Sequence, residues 1–142
     1  MSEWQKNLDG FFKKTEQKKK DTRQTEMAHF IATVAIPAFA EIREELEKHG
    51  RDVTIRNAEV TAGLIVTKDG EEEITYRVQS RSYPNTVVPY AEVRTRERKG
   101  LKLVRNESMF RSGAPDYAIK DIGKDEIIQN FLSHYMRLIG NE

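Results

Sequence analysis

The spacing of apolar side chains changes twice along this chain, and each change marks a new kind of element. Trp4, Leu8, Phe11 and Phe12 recur at helical spacing, so a first helix carries one strongly apolar stripe. Ser2 followed by Gln5 has the form of a capping box, which satisfies backbone N–H groups left free at a helix start. From Thr15 to Glu26 no apolar residue occurs. That stretch has helix-compatible residues but no face to bury, so it reads either as a solvated extension of the helix or as a flexible connector.

Met27, Phe30, Ile31, Val34, Ala38, Ile42 and Leu46 restore the helical period. Pro37 falls inside it, and either kinks one helix or opens a second at its first turn, where a missing N–H costs nothing. The period predicts an end at His49-Gly50, with Gly50 as a left-handed stop. Glu44–Lys48 and Glu47–Arg51 stand four apart in the favourable order.

After Asp52 the period falls from 3.6 to 2. Val53 and Ile55 begin it, and a mostly apolar run from Val60 to Thr67 follows. Thr67-Lys68-Asp69-Gly70 is a tight-turn signal that joins this run to Glu72–Arg81 as a hairpin. In the second strand Ile74, Tyr76 and Val78 alternate with Thr75, Arg77, Gln79 and Arg81. Turns are expected at Tyr83-Pro84-Asn85 and Arg98-Lys99-Gly100, with strands from Thr86 to Arg98 and from Leu101 to about Glu107. Short connections imply an antiparallel meander. Met109 to Ile122 reads as an irregular return around Ser112-Gly113-Ala114-Pro115. A last helix starts at Gly123, with Asp125 and Glu126 at its positive end and Ile122 stapled to Ile127. Its stripe is Ile128, Phe131, Leu132, Tyr135, Leu138 and Ile139.

These elements predict an α+β fold: a two-layer sandwich with N-terminal helices, an antiparallel four- to five-stranded meander and a C-terminal helix. Residues 1–26 form an amphipathic helix and polar connector, and residues 27–142 a single domain. The expected core is Phe30, Ile31, Val34, Ile42, Leu46, Ile74, Tyr76, Val78, Phe131, Leu132 and Tyr135.

Composition narrows the function classes. The chain has 142 residues, enough for one real core. It has no cysteine, which excludes disulfides, thiol nucleophiles and zinc–thiolate sites. Its first residues lack the basic-then-apolar pattern of a secretory signal, and its longest apolar run, Phe30–Ala40, is far short of the ~20 residues a membrane span needs. The expected location is the cytoplasm, and association with a membrane is not expected. Net charge is only +1, yet it is segregated. Residues 41–76 carry five Lys/Arg against ten Asp/Glu, and residues 77–111 carry nine against three.

No constellation carries catalysis. There is no Gly-x-Ser-x-Gly, and the eight glycines are scattered rather than gathered into a phosphate cradle. His29, His49 and His134 have no second ligand at helical spacing, and Glu41 with Glu45 lacks the helical histidine of a dinuclear site. No catalytic residue, metal site or cofactor is therefore expected, and no motif carries a resemblance to a known family. Two surfaces remain. One is the stripe Trp4, Leu8, Phe11 and Phe12, whose rings must bury against the chain's own sheet, another copy or a partner protein. The other is a basic sheet face of Arg77, Arg81, Arg94, Arg96, Arg98 and Lys102, able to meet phosphates or an acidic protein, with Tyr90 as a stacking ring. The expected function is a non-catalytic interaction module that self-associates through its N-terminal helix. The alternative is a small nucleic-acid-associated protein using the basic face, and a third is an enzyme or small-ligand binder with a pocket between sheet and helices.

Overall fold

The computed structural model describes residues 2–83, 86–96, 103–111 and 119–140. Its architecture is α+β: helices at both ends of the chain and an antiparallel sheet of five strands in the order of the sequence. Helix α1 runs Glu3–Phe30, a π-helical turn spans Ile31–Ala35, and helix α2 runs Ile36–Lys48. The polar stretch after Thr15 is thus a solvated helix, not a break. Thr15 and Thr22 keep their hydroxyls within it, donating to the Phe11 and Lys18 carbonyls at 2.9 Å.

Pro37 does more than either sequence alternative. It cannot donate, and its ring crowds the carbonyl four residues back. The helix widens by one residue just before it, and the Ile36 N–H reaches Ile31 O across a π turn. At the far end, Arg51 N–H donates to Leu46 O at 3.1 Å and Gly50 N–H to Glu47 O at 3.2 Å. Gly50 holds the φ of +78° that this stop requires.

The strands are β1 (Asp52–Asn57), β2 (Ala62–Lys68), β3 (Glu71–Tyr83), β4 (Thr86–Arg96) and β5 (Leu103–Met109). The β2–β3 turn is Asp69-Gly70, with φ of +53° and +82°, the mirror-image turn whose twist matches the flanking strands. The turns expected at Pro84-Asn85 and Arg98-Lys99-Gly100 lie outside the described residues, as does the return around Ser112–Pro115. Helix α3 runs Lys124–Gly140 after a short 3₁₀ turn at Ile119–Asp121. Gly123 O accepts from Glu126 N–H at 3.1 Å, which places Gly123 at the cap.

One sheet face carries the helices. Ile74, Tyr76 and Val78 of β3 turn toward it with Leu64 and Val66 of β2 and Ala91 and Val93 of β4, and all are buried. Phe39 of α2 and Phe131 of α3 meet the Tyr76 ring edge-on at 6.0 and 5.4 Å, and Phe131 stacks on Tyr135. Of the expected core, Val34 and Leu132 are only partly buried. Ile127 takes the deep position on α3 that the sequence pattern gave to Ile128, because Ile127, Phe131 and Tyr135 make the straighter row.

Polar side chains seat α3 on the sheet. Tyr76 Oη donates to Asn130 Oδ1 at 2.7 Å, Asn130 Nδ2 donates to Ser108 Oγ at 3.0 Å, and Ser108 Oγ lies 2.9 Å from His134 Nε2. A bulge in β3, where the β2 ladder slips past Glu73, turns that carboxylate toward two partners. Tyr135 Oη donates to it at 2.7 Å and the Arg51 guanidinium reaches it at 3.3 and 3.5 Å. Arg51 therefore does not pair with Glu47, because it stands beyond the helix stop. Lys48 pairs with Glu45 at 2.9 Å instead of with Glu44.

Candidate interaction surfaces

The two surfaces differ in how far the fold has already engaged their side chains. The first buried residue of α1 is Met27, and the stripe lies in the exposed turns well before it. At 1.5 Å per residue, Ser2 to Met27 reaches roughly 37 Å. The start is held by Ser2 N–H donating to Gln5 Oε1 at 3.0 Å. Trp4, Leu8, Phe11 and Phe12 are 65%, 47%, 62% and 54% exposed. The only ring contact among them is Phe11 against Phe12, edge-on at 5.6 Å. Burial on the chain's own sheet, the first of the three fates open to this stripe, is not what the fold does with it.

The second surface is the sheet face turned away from the helices. Register alone assembles it: Arg56, Gly63, Arg77, Glu92 and Glu107 form one row across all five strands, and Thr54, Ile65, Thr75, Arg94 and Arg105 form the next. Adjacent members stand about 4.8 Å apart. Arg81 is exposed on this face, and Arg77 and Arg94 are half-buried. Arg96 pairs in the ladder opposite Leu103, while Arg98 and Lys102 lie outside the described residues.

Glu92, at the middle of β4, organises the centre of this face and is only 8% exposed. It accepts from Arg94 Nε at 2.8 Å and from Gln79 Nε2 at 3.2 Å, and Arg105 Nε stands 3.7 Å away. Burial works to raise its pKa, but the hydrogen bonds from Arg94 and Gln79 with the two guanidinium charges outweigh it and hold the carboxyl below its ordinary value. Arg81 pairs with Glu107 at 2.9 Å and lies over the Tyr90 ring, 4.9 Å from its centroid. Tyr90 is therefore covered, and its hydroxyl is taken by Gln79 at 3.0 Å; it is not an open stacking ring. Pro89, a residue type usually confined to edge strands or bulges, sits in an interior strand. It is tolerated because the β4–β5 ladder starts one residue later, at Tyr90 opposite Met109.

Glu92 and the α3 hydrogen-bond network are what sequence reasoning missed. The signal for the first was available in part, as a carboxylate flanked on its own strand by tyrosine and arginine. Nothing local marks the second, because Ser108 and His134 meet only through the packing of β5 on α3. Ser108 Oγ accepts from Asn130 Nδ2 and lies within hydrogen-bond distance of His134 Nε2, so this one hydroxyl of β5 is tied to two side chains of α3. Burial, aided by the Arg137 charge, lowers the His134 pKa and favours the neutral ring.

Among the described residues no three His, Asp or Glu side chains converge as metal ligands, and no helix is long and apolar enough to cross a membrane. Two depressions border α1, one along Lys14, Lys18 and Thr22 and one where Gln24, Thr25, Ala28 and His29 meet Glu59. No known protein family, curated protein or solved structure matches the chain.

Proposed function

We propose that this protein is a non-catalytic interaction module that self-associates through the N-terminal half of α1. One observation carries the reading: three aromatic rings and a leucine share one stripe of a projecting helix, and each is about half exposed or more. Water-exposed apolar area is worth roughly 25 cal/mol per Å² on burial, and a contiguous patch of this kind marks an interaction site. The test is mass in solution across concentration, for the parent chain and for a variant with Trp4, Leu8, Phe11 and Phe12 all changed to Ser. The parent should dimerise reversibly, and the variant should stay monomeric with its body folded. A parent chain that remains monomeric by light scattering at high concentration overturns the reading.

A second reading, binding of nucleic acid or an acidic protein, is favoured by one feature of the far sheet face. Arg56 and Arg77 flank Gly63, which carries no side chain, and no ion pair engages either among the described residues. Phosphates could approach this notch. Glu92 and Glu107 at the other end of the same row work against it. Retention on single-stranded DNA that falls steeply with salt, and is lost on changing Arg56, Arg77 and Arg105 to Ser, would support it.

A further inference from the structure

We infer that the α1 stripe pairs with the same stripe of a second copy in antiparallel fashion, about a two-fold axis passing near Leu8. The inference rests on the self-association proposed above and adds its geometry. Three observations point to it.

The first is that the stripe is nearly palindromic in spacing. Trp4 and Phe12 stand equally far from Leu8, and Phe11 fills the same turn as Phe12. Reversing one helix against the other about Leu8 therefore sets Trp4 against the partner's Phe11 and Phe12, and Leu8 against itself. A two-fold contact must be self-complementary in this way.

The second is charge. Glu3 and Lys14 lie on the same flank of the stripe, eleven residues and about three turns apart. An antiparallel pair brings each Glu3 beside the partner's Lys14, twice by symmetry. A parallel pair instead lays the basic stretch from Lys13 to Lys20 of one copy along that of the other.

The third is the shape of the molecule. Helices pack 8–10 Å apart. The body behind α1 carries a five-stranded sheet, about 19 Å across at the usual strand spacing. Helices that run side by side in parallel place both bodies at the same end of the pair, one close beside the other. Antiparallel pairing about Leu8 puts them at opposite ends, roughly 55 Å apart when counted between the two Met27 positions. The area suffices. With aromatic side chains offering 150–250 Å² each, the exposed fractions come to roughly 450–550 Å² per copy, or about 1,000 Å² in all, the lower bound for a specific but weak interface.

The experiment uses full-length chains and the absence of native cysteine. Glu3→Cys and Lys14→Cys variants are prepared separately and mixed, then treated with a short bismaleimide linker below the concentration at which random collisions cross-link. The expected result is a covalent dimer in the mixture and little in Glu3→Cys alone. Separately, Glu3→Lys should weaken dimerisation about three- to tenfold, as two partly exposed ion pairs become repulsions, and Glu3→Lys with Lys14→Glu should restore it. Cross-linking of Glu3→Cys to itself as readily as to Lys14→Cys overturns the antiparallel geometry while leaving self-association standing. A dimer that neither cross-links in the mixture nor responds to the charge exchange overturns it as well. A chain monomeric at every concentration overturns both, and leaves the stripe to a different partner.

Discussion

The N-terminal half of α1 and the C-terminal helix α3 both carry apolar stripes at the helical period, and the fold treats them oppositely. Ile127, Phe131 and Tyr135 are buried on the sheet, whereas Trp4, Leu8, Phe11 and Phe12 stand in water. Periodicity states which face of a helix seeks burial; it does not state where. That depends on what ties the helix to the body. Helix α3 follows a short turn whose Ile119 and Ile122 are themselves buried, so its axis is fixed against the sheet from its first residue. The α1 stripe is held away from the body by three turns of unbroken polar helix. A flexible connector would have let those rings fold back, whereas a rigid one keeps them out.

The largest effect that could break this comparison is on α3. Phe131→Ala removes a ring packed between Tyr76 and Tyr135, and should cost about 3–5 kcal/mol of stability by urea unfolding. Phe11→Ala on the other stripe should change the stability of the monomer by less than about 0.5 kcal/mol, because no core contact is lost. Equal effects at the two positions would mean that the α1 stripe packs on its own body.

Removal of residues 1–24 sharpens the contrast. The body should still unfold cooperatively, since Met27 and all later core residues remain. What should vanish is the dependence of Tm on protein concentration, a linkage term worth about 2.7 kcal/mol when the chain stands at a hundred times its dimer Kd. A truncated chain that fails to fold would place Trp4 in a core. A full-length Tm that ignores concentration would remove the dimer.

Much of this arrangement is legible in the residues alone, and the reasons for the remainder are physical. Alternation in β3 sorts Ile74, Tyr76 and Val78 from Arg77 and Arg81 because each strand residue must face one side or the other. Asp69-Gly70 announces its turn because few residue pairs tolerate two positive φ values in succession. The π turn before Pro37 is not legible, since a proline permits a kink, a new helix or a widened turn at similar cost. Nor is the central role of Glu92. Its burial comes from Gln79 and Arg105 on two neighbouring strands, which only the register supplies. Arg77 and Arg94 read as free cations along the chain, yet Arg94 is engaged by that buried carboxylate. For the α1 stripe the face was legible and the partner was not, because a helix surface specifies chemistry without specifying an address.

Smaller effects test how α3, unlike α1, is seated by hydrogen bonds as well as by apolar area. Asn130→Ala leaves the Tyr76 hydroxyl, buried at the centre of the core, without its acceptor and takes a donor from Ser108. The expected loss is about 1–3 kcal/mol. Asn7→Ala, on the exposed helix, should be close to neutral. A loss at Asn130 no greater than that at Asn7 would mean that area alone holds α3 in place.

The smallest effect is one of pH, and its sign follows from His134. Burial, with the neighbouring Arg137 charge, holds the imidazole below its ordinary value of 6.5, and its Nε2 stays within hydrogen-bond distance of Ser108 Oγ. Above 6.5 both the folded and unfolded chains leave the ring neutral, and this contribution to stability is fully present. As pH falls below 6.5 the unfolded chain binds a proton that the folded chain resists, so stability declines until the pH passes the folded value. Urea midpoints for the parent and for His134→Gln should therefore be measured at pH 7.5 and 5.5. Carboxylates lose the same stability in both chains over this interval and cancel in the comparison. The parent should lose more than His134→Gln between the two pH values. A parent that loses the same amount or less would show that the ring is free to ionise where it stands, and that α3 is seated without it.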